Sequence, residues 1–413
     1  MKKNVLVVGL TPEYYSSSVR DAVSNNQATM RSTNMGASFI TRSIVSIFDA
    51  TYVDIASDYN ISQLRNDYDV CVVSLASHFG PSRDVSMLVR FLKELDIRTV
   101  FLSGGLDAGQ AGTDGVSKSI FELIDFCSSE NQWVGVRGAA SALYLHRQGL
   151  KNVVPLGCPT MYSKFSGQLE SPKLESRNEI AVPFHWSIAA SLLNELSDHL
   201  LIGQDCIDEE IFLDAKAGRI VRNIGERLGI SQKEVLQKLD TAISTNGHFP
   251  KSYEAWYEVI GAQKALLSGR LHAAICGLTQ GVPTVLTSWD MRTKEIIDYF
   301  QIPTVSDDVI NKEGSIFAIN TADFEKFNVR QGECWGRWSE FLRLNNLESV
   351  IQGPNENNTF NKNWEQSLKA DNELLNTASY LQPQIQGGHL QLLHRASKFI
   401  NRRSKQFLVN YKS

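Results

Sequence analysis

The chain has 413 residues, 42% hydrophobic and 21% charged, with a formal net charge of −4. That length suits two or three domains, and the composition is ordinary for a globular protein with buried cores. The weak negative charge gives no overall attraction to nucleic acid, and no apolar run reaches the roughly 18 residues a membrane-spanning helix needs.

Met1 to Leu10 sets two lysines before a short apolar run. Thr11-Pro12-Glu13-Tyr14-Tyr15 is a poor cleavage sequence, so the segment reads as a first β-strand closed by a glycine turn rather than a leader. Strands and helices then alternate. Strands are expected at 4–9, 51–54, 70–75, 98–103, 132–136 and 153–156, and helices at 35–47, 84–95, 116–127 and 138–148. Such alternation argues for a parallel α/β sheet. Residues 166–178 are polar and aperiodic and read as a linker between a first domain at 1–165 and a second at 179–330. In the second, strands are expected at 179–183, 199–204, 265–267 and 284–286, with helices at 186–197, 208–213, 217–228, 231–243, 253–261, 271–280 and 292–300. The fold class expected is therefore α/β, two Rossmann-like domains facing a cleft, and the cleft is the default site. From 331 to 413 the character changes to a helical, basic tail, with a loop at 352–364 and a helix at 363–380. Arg395, Lys398, Arg402, Arg403 and Lys405 interleave with Leu392, Leu393, Phe399, Ile400, Phe407 and Leu408. Two readings stand: a helix lying on an anionic membrane surface, or a terminal helix docked on the protein with a solvated basic face.

The most informative stretch runs from Ala265 through Ser268-Gly269-Arg270-Leu271-His272 to Gly281-Val282-Pro283. A strand, a glycine turn, a helix and a second strand form a βαβ unit. Ligands of such sheets bind at the carboxyl ends of the strands, where a helix N-terminus attracts anions. Arg270 offers a planar fork for carboxylate or phosphate, and His272 can move a proton near neutral pH. The bland alternative is a helix start with a capping arginine and a packed histidine. The six cysteines show no Cys-x-x-Cys pair and read as buried reduced thiols. The eight histidines show no His-x-x-x-His spacing, so no metal site is expected.

Several segments, in order, resemble the polysaccharide pyruvyl transferase family: Asn34-Met35-Gly36-Ala37, Leu102-Ser103-Gly104-Gly105-Leu106, Trp133-Val134-Gly135-Val136-Arg137-Gly138-Ala139-Ala140-Ser141, Gly157-Cys158-Pro159-Thr160, the Arg270–His272 stretch, and Asp290-Met291-Arg292-Thr293-Lys294. The resemblance covers roughly residues 30–305. Ala37 stands where the family usually has Asp, and Gly138 where many relatives carry an acidic residue.

The resemblance implies a GT-B-like fold and transfer of pyruvate from phosphoenolpyruvate onto two sugar hydroxyls as a ketal, releasing phosphate. The acceptor would be a surface glycan or its lipid-linked precursor, held by the first domain, with the donor on the second. It implies no cofactor, a cytoplasmic enzyme, with peripheral membrane contact or homo-oligomer formation compatible with the pattern. Arg137, Arg270, Arg292 and Lys294 are the candidate cations, and His272 with Arg270 and Arg137 the catalytic set. Asn34, Gly36, Gly105, Ser141, Gly269, Leu271 and Asp290 complete the substrate contacts, with His248 and Tyr253 on a loop suited to sugar. Several have structural alternatives: a salt bridge for Arg137, a tight turn for Gly105, helix capping for Asn34, a solvated side chain for Lys294. His185 either enters the cleft or packs on Trp186. A nucleotide-sugar glycosyltransferase and a non-catalytic binding protein are the competing functions, since the layout suits both.

Overall fold

Val5–Gly9 (β1) and Val70–Ser74 (β3) are buried at every position, as strands covered on both faces must be. They pair in parallel, Val7 beside Val72. With Thr51–Tyr52 (β2) and Arg98–Leu102 (β4) they make a four-stranded sheet in the order β2-β1-β3-β4. The helices Met35–Phe48 (α1), Ile61–Asp67 (α2) and Ser86–Leu95 (α3) connect its strands, and Lys118–Cys127 (α4) leads on from β4. A bridge from Gly104 to Val136 carries the sheet on to the parallel pair Val134–Val136 (β5) and Val153–Pro155 (β6), joined through Ala139–Arg147 (α5). The structure is a computed structural model describing residues 3–13, 33–75, 79–80, 83–102, 104–106, 116–128, 132–214, 218–287 and 291–354. The helix expected at 363–380 and the basic segment from Leu390 lie outside the described residues.

The second half repeats the scheme. Ile180–Pro183 (β7), Leu200–Ile202 (β8), Gly247–His248 (β9), Ala265–Ser268 (β10) and Thr284–Leu286 (β11) form a parallel sheet in the order β11-β10-β7-β8-β9. Its helices are Trp186–Ser191 (α6), Cys206–Asp214 (α7), Gly218–Leu228 (α8), Gln232–Asn246 (α9), Tyr253–Gly261 (α10), Leu271–Thr279 (α11) and Met291–Phe300 (α12). Asp307–Asn320 (α13) and Glu325–Leu344 (α14) follow. Among the described residues, no helix is long and apolar enough to cross a membrane.

Most expected elements stand within a residue or two of their places. The differences have physical reasons. The helix α2 was not expected because it buries no residue and so carries no apolar period. The helix expected at 186–197 stops at Ser191, and a separate 3-10 turn covers Leu196–Asp198. The helix α14 runs straight through position 330, where the tail was expected to begin, because Gln331 and Arg337 sit among its buried residues and break the apolar stripe. It returns to the first half. Trp338 stacks on Tyr162 with ring centroids 4.5 Å apart, Asn345 Oδ1 accepts from the Trp133 N–H at 2.9 Å, and the Val350 N–H donates to Ile47 O at 2.8 Å. The linker is fastened too: Asn328 exchanges two hydrogen bonds with the Leu169 backbone and Asn320 two with Leu174.

Candidate active site

The two sheets bring their carboxyl-terminal edges to one seam. The strand β10 ends at Ser268, whose hydroxyl accepts from the Arg270 N–H at 3.0 Å and so shapes the turn into α11. Arg270 caps that helix with extended backbone, and His272 falls on its first turn. On the first half, Asn34 caps α1, its Oδ1 accepting from the Gly36 N–H at 2.9 Å. The halves meet here through backbone: the Met35 N–H donates to Gln204 O at 3.0 Å and the Cys206 N–H to Thr33 O at 2.9 Å. Gln204 Nε2 also donates to Asn34 Oδ1 at 2.9 Å. A Cβ at position 36 would lie 2.7 Å from both Gln204 Nε2 and His272 Cβ. Only glycine lets α1 and α11 approach this closely.

Arg270 is not a bare cation. Its Nη1 donates to Asp205 Oδ2 at 2.6 Å, its Nη2 to Asp208 Oδ1 at 2.7 Å, and its Nε to Phe184 O at 2.7 Å. Burial would raise Asp205, but the guanidinium and the backbone N–H groups outweigh it and hold that carboxyl below the usual range. Asp208, fully enclosed, is pushed up to about 7 by burial and by the neighbouring Asp205 charge, against the pull of Arg270. The triad fixes the turn after β8, and through Gln204 that turn meets Asn34. Arg270 thus builds the seam as well as bordering it. Gly269 and Leu271 flank it, half-buried, with Gly269 close to the His185 Cβ. His185 caps α6 and shares a hydrogen bond with the Ser187 hydroxyl at 2.7 Å.

His272 reaches across the seam. Its Nε2 lies 3.8 Å from Cys158 Sγ, and that sulfur accepts from the Thr160 hydroxyl at 2.9 Å.

A second group lies at the end of β5. Arg137 is 2% exposed, and its stem lies over Gly105. Ser141, on the first turn of α5, donates from its N–H to Glu295 Oε1 at 2.6 Å and from its hydroxyl to Glu295 Oε2 at 2.9 Å, while its Oγ accepts from the Leu106 N–H at 3.0 Å. Glu295 comes from α12 of the second half. Burial raises its carboxyl, with Ser141 and Arg137 pulling the other way. A Cβ at Gly138 would stand 2.2 Å from Glu295 Cγ, so a side chain there and Glu295 exclude each other.

The remaining expected residues separate from these groups. His248 is exposed on β9, the edge strand, with β7 and β8 between it and β10. Lys294 pairs with Asp298 one turn on and lines a surface cavity of about 300 Å³ with Gln301, Thr304 and Lys326. Of Arg292 the backbone alone is described, in the first turn of α12, and Asp290 lies outside the described residues. Tyr253 packs on Phe39 of α1, with the Arg42 guanidinium 4.5 Å from its ring centre. Trp256 is wholly buried. The sequence reading missed Gln204, Asp205, Asp208 and Glu295. The first three follow β8 and could have been found by asking what stands at every strand's carboxyl end. Glu295 carries no such sign, because only α12 brings it to α5.

Two parallel α/β halves of GT-B-like layout, with arginine and histidine gathered where their strand ends meet, define the class of this protein. Residues 16–291, well over half of the chain, match the family described as polysaccharide pyruvyl transferase, and the chain belongs to that family. Among solved structures, the S. aureus MnaA–UDP complex is 12% identical with a TM-score of 0.42, covering 85% of this chain and 100% of that one. A UDP-GlcNAc 2-epimerase of Methanocaldococcus jannaschii (12%, TM-score 0.38, 82% and 99%) and the glycosyltransferase SnogD of Streptomyces nogalater (12%, TM-score 0.32, 83% and 96%) are also similar. No curated protein matches the chain.

Proposed function

We propose that the protein transfers the pyruvyl group of phosphoenolpyruvate to two hydroxyls of a sugar in a surface polysaccharide or its lipid-linked precursor. The observation that carries this reading is the seat of His272. It stands on the first turn of a helix that favours negative charge at its N-terminus and presses against Gly36 of the opposite half. In the proposed reaction the donor's methylene carbon takes a proton and becomes a methyl group. One sugar hydroxyl adds to the adjacent carbon and gives up its proton to a base. The second hydroxyl then displaces phosphate from the same carbon, and its proton leaves with the inorganic phosphate. His272 is the group assigned to these proton movements. Arg137 meets the donor's charge, with Ser141 beside it. Arg270, held by two carboxylates, keeps the turn with Gln204 and the first turn of α11 in place. The reaction as written balances without a metal or cofactor, and the cytoplasm is the proposed compartment.

Calorimetric titration of phosphoenolpyruvate into the full chain, with phosphate release measured on added glycan acceptors, tests the reading. Binding that yields phosphate only with acceptor, lost in His272→Ala, is the expected result. Binding of a uridine diphosphate sugar with none of phosphoenolpyruvate would replace it with a glycosyltransferase.

A further inference from the structure

Cys158 enters no part of the reaction above, yet its sulfur lies within hydrogen-bonding reach of His272 Nε2. It sits three residues beyond β6, after a turn at Gly157 packed against the Phe300 ring, and it is fully buried. Its sulfur has two polar neighbours. The Thr160 hydroxyl, also fully buried, donates to it at 2.9 Å, and His272 Nε2 lies at 3.8 Å, facing the weak S–H donor. Thr160 is itself held in a 3-10 turn, Pro159–Tyr162, where its carbonyl accepts from Ser163. The donors and acceptors then assign themselves. With the Thr160 O–H directed at the sulfur, the single thiol proton is left for His272 Nε2. A neutral imidazole that accepts at Nε2 carries its proton at Nδ1.

We propose that Cys158 is a positioning residue for His272: reaching across the seam from the first half, its thiol fixes the imidazole ring and sets the neutral tautomer with the proton on Nδ1. This rests on the reading of His272 as the proton-moving group, and it specifies which nitrogen presents a proton to substrate. The arrangement also couples that tautomer to the closeness of the halves, because Cys158 and His272 belong to opposite ones. The charged groups nearest on the His272 element are Arg270 and its partners Asp205 and Asp208. Arg270 donates to both carboxylates and to the Phe184 carbonyl, so this group is engaged within itself.

The test is nitrogen NMR of histidine-labelled full-length protein at a pH where His272 is neutral, with His272→Gln assigning the signal. The wild type is expected to show the Nδ1–H form. Cys158→Ala should shift the population toward the Nε2–H form that free imidazole side chains favour, and Cys158→Ser, which keeps an O–H donor, should restore most of the Nδ1–H form. An Nε2–H form in the wild type, or a tautomer unchanged in Cys158→Ala, overturns the proposal. Thermal melts of both variants establish that they fold. In turnover, Cys158→Ala should lower kcat about tenfold or more with little change in KM, and Cys158→Ser should recover part of it. The tautomer measurement needs no substrate, so a protein that ignores phosphoenolpyruvate would sink the function while leaving this result readable.

Discussion

Arg270 and His272 are two residues apart and meet different neighbours. Five N–H donors in a rigid fork let Arg270 tie Asp205, Asp208 and the Phe184 carbonyl together. Removing it strands two buried carboxylates, so Arg270→Ala should destabilise the protein by about 3–5 kcal/mol as well as abolish activity; an unchanged melting temperature would refute the structural role. His272→Ala removes no buried charge and should cost activity by a hundredfold or more with the melt nearly unaltered. Asp208 gives a pH signature. Its carboxyl, near 4 when unfolded, is pushed up to about 7 in the fold, so the folded state binds the extra proton. That stabilisation is present at pH 4 and is lost as the pH rises to 7. Across that window Asp208→Asn should gain stability relative to wild type, and denaturant titrations at pH 4, 5.5 and 7 read the trend directly. At this scale the sequence pointed to the seam residues and not to the groups that hold them. Arg270 and His272 stood out because a βαβ unit places them at a strand end. The ion-pair partners lie more than sixty residues away, and no local pattern ties them to Arg270.

Helices set the seam, and the glycines where they cross decide how close it is. The crossing of α1 over α11 leaves no room for a methyl group at Gly36. Gly36→Ala should therefore force the helices apart, costing about 1–3 kcal/mol and most of the activity. A variant with normal turnover would show that the crossing distance is unimportant. The contact of α12 with α5 works in reverse: the gap left by Gly138 is filled by Glu295, which satisfies the first turn of α5 through Ser141. Gly138 thereby leaves room beside Arg137 for a carboxylate that the other half supplies. The central strands of both sheets were legible because each is a short apolar run bounded by turn residues, whereas the edge strand β9, Gly247–His248, is exposed and was expected as loop. The helices α2 and α14 were not, the first for want of a buried face and the second because arginine and glutamine share its buried side.

Across the whole molecule the halves are joined by more than the seam. The helix α14 leaves the second half and buries Trp338 against Tyr162 and Phe48 of the first. Trp338→Ala should lower stability by about 3–5 kcal/mol, read as a lower denaturation midpoint. The basic segment beyond it answers to a separate measurement. If residues 390–413 bind membrane, deleting them abolishes pelleting with anionic liposomes, and unchanged pelleting rejects that role. The return of α14 also bears on how the protein is made. Phe48 and Tyr162 emerge from the ribosome long before Trp338, which covers them, and Trp133 long before Asn345, which accepts from its backbone N–H. At ordinary translation speeds of about 5–20 residues per second, the first half waits roughly ten seconds or longer with an aromatic face uncovered. Until residue 345 is synthesised, that nascent chain is a natural client for a chaperone, and slow codons placed before α14 would prolong the wait.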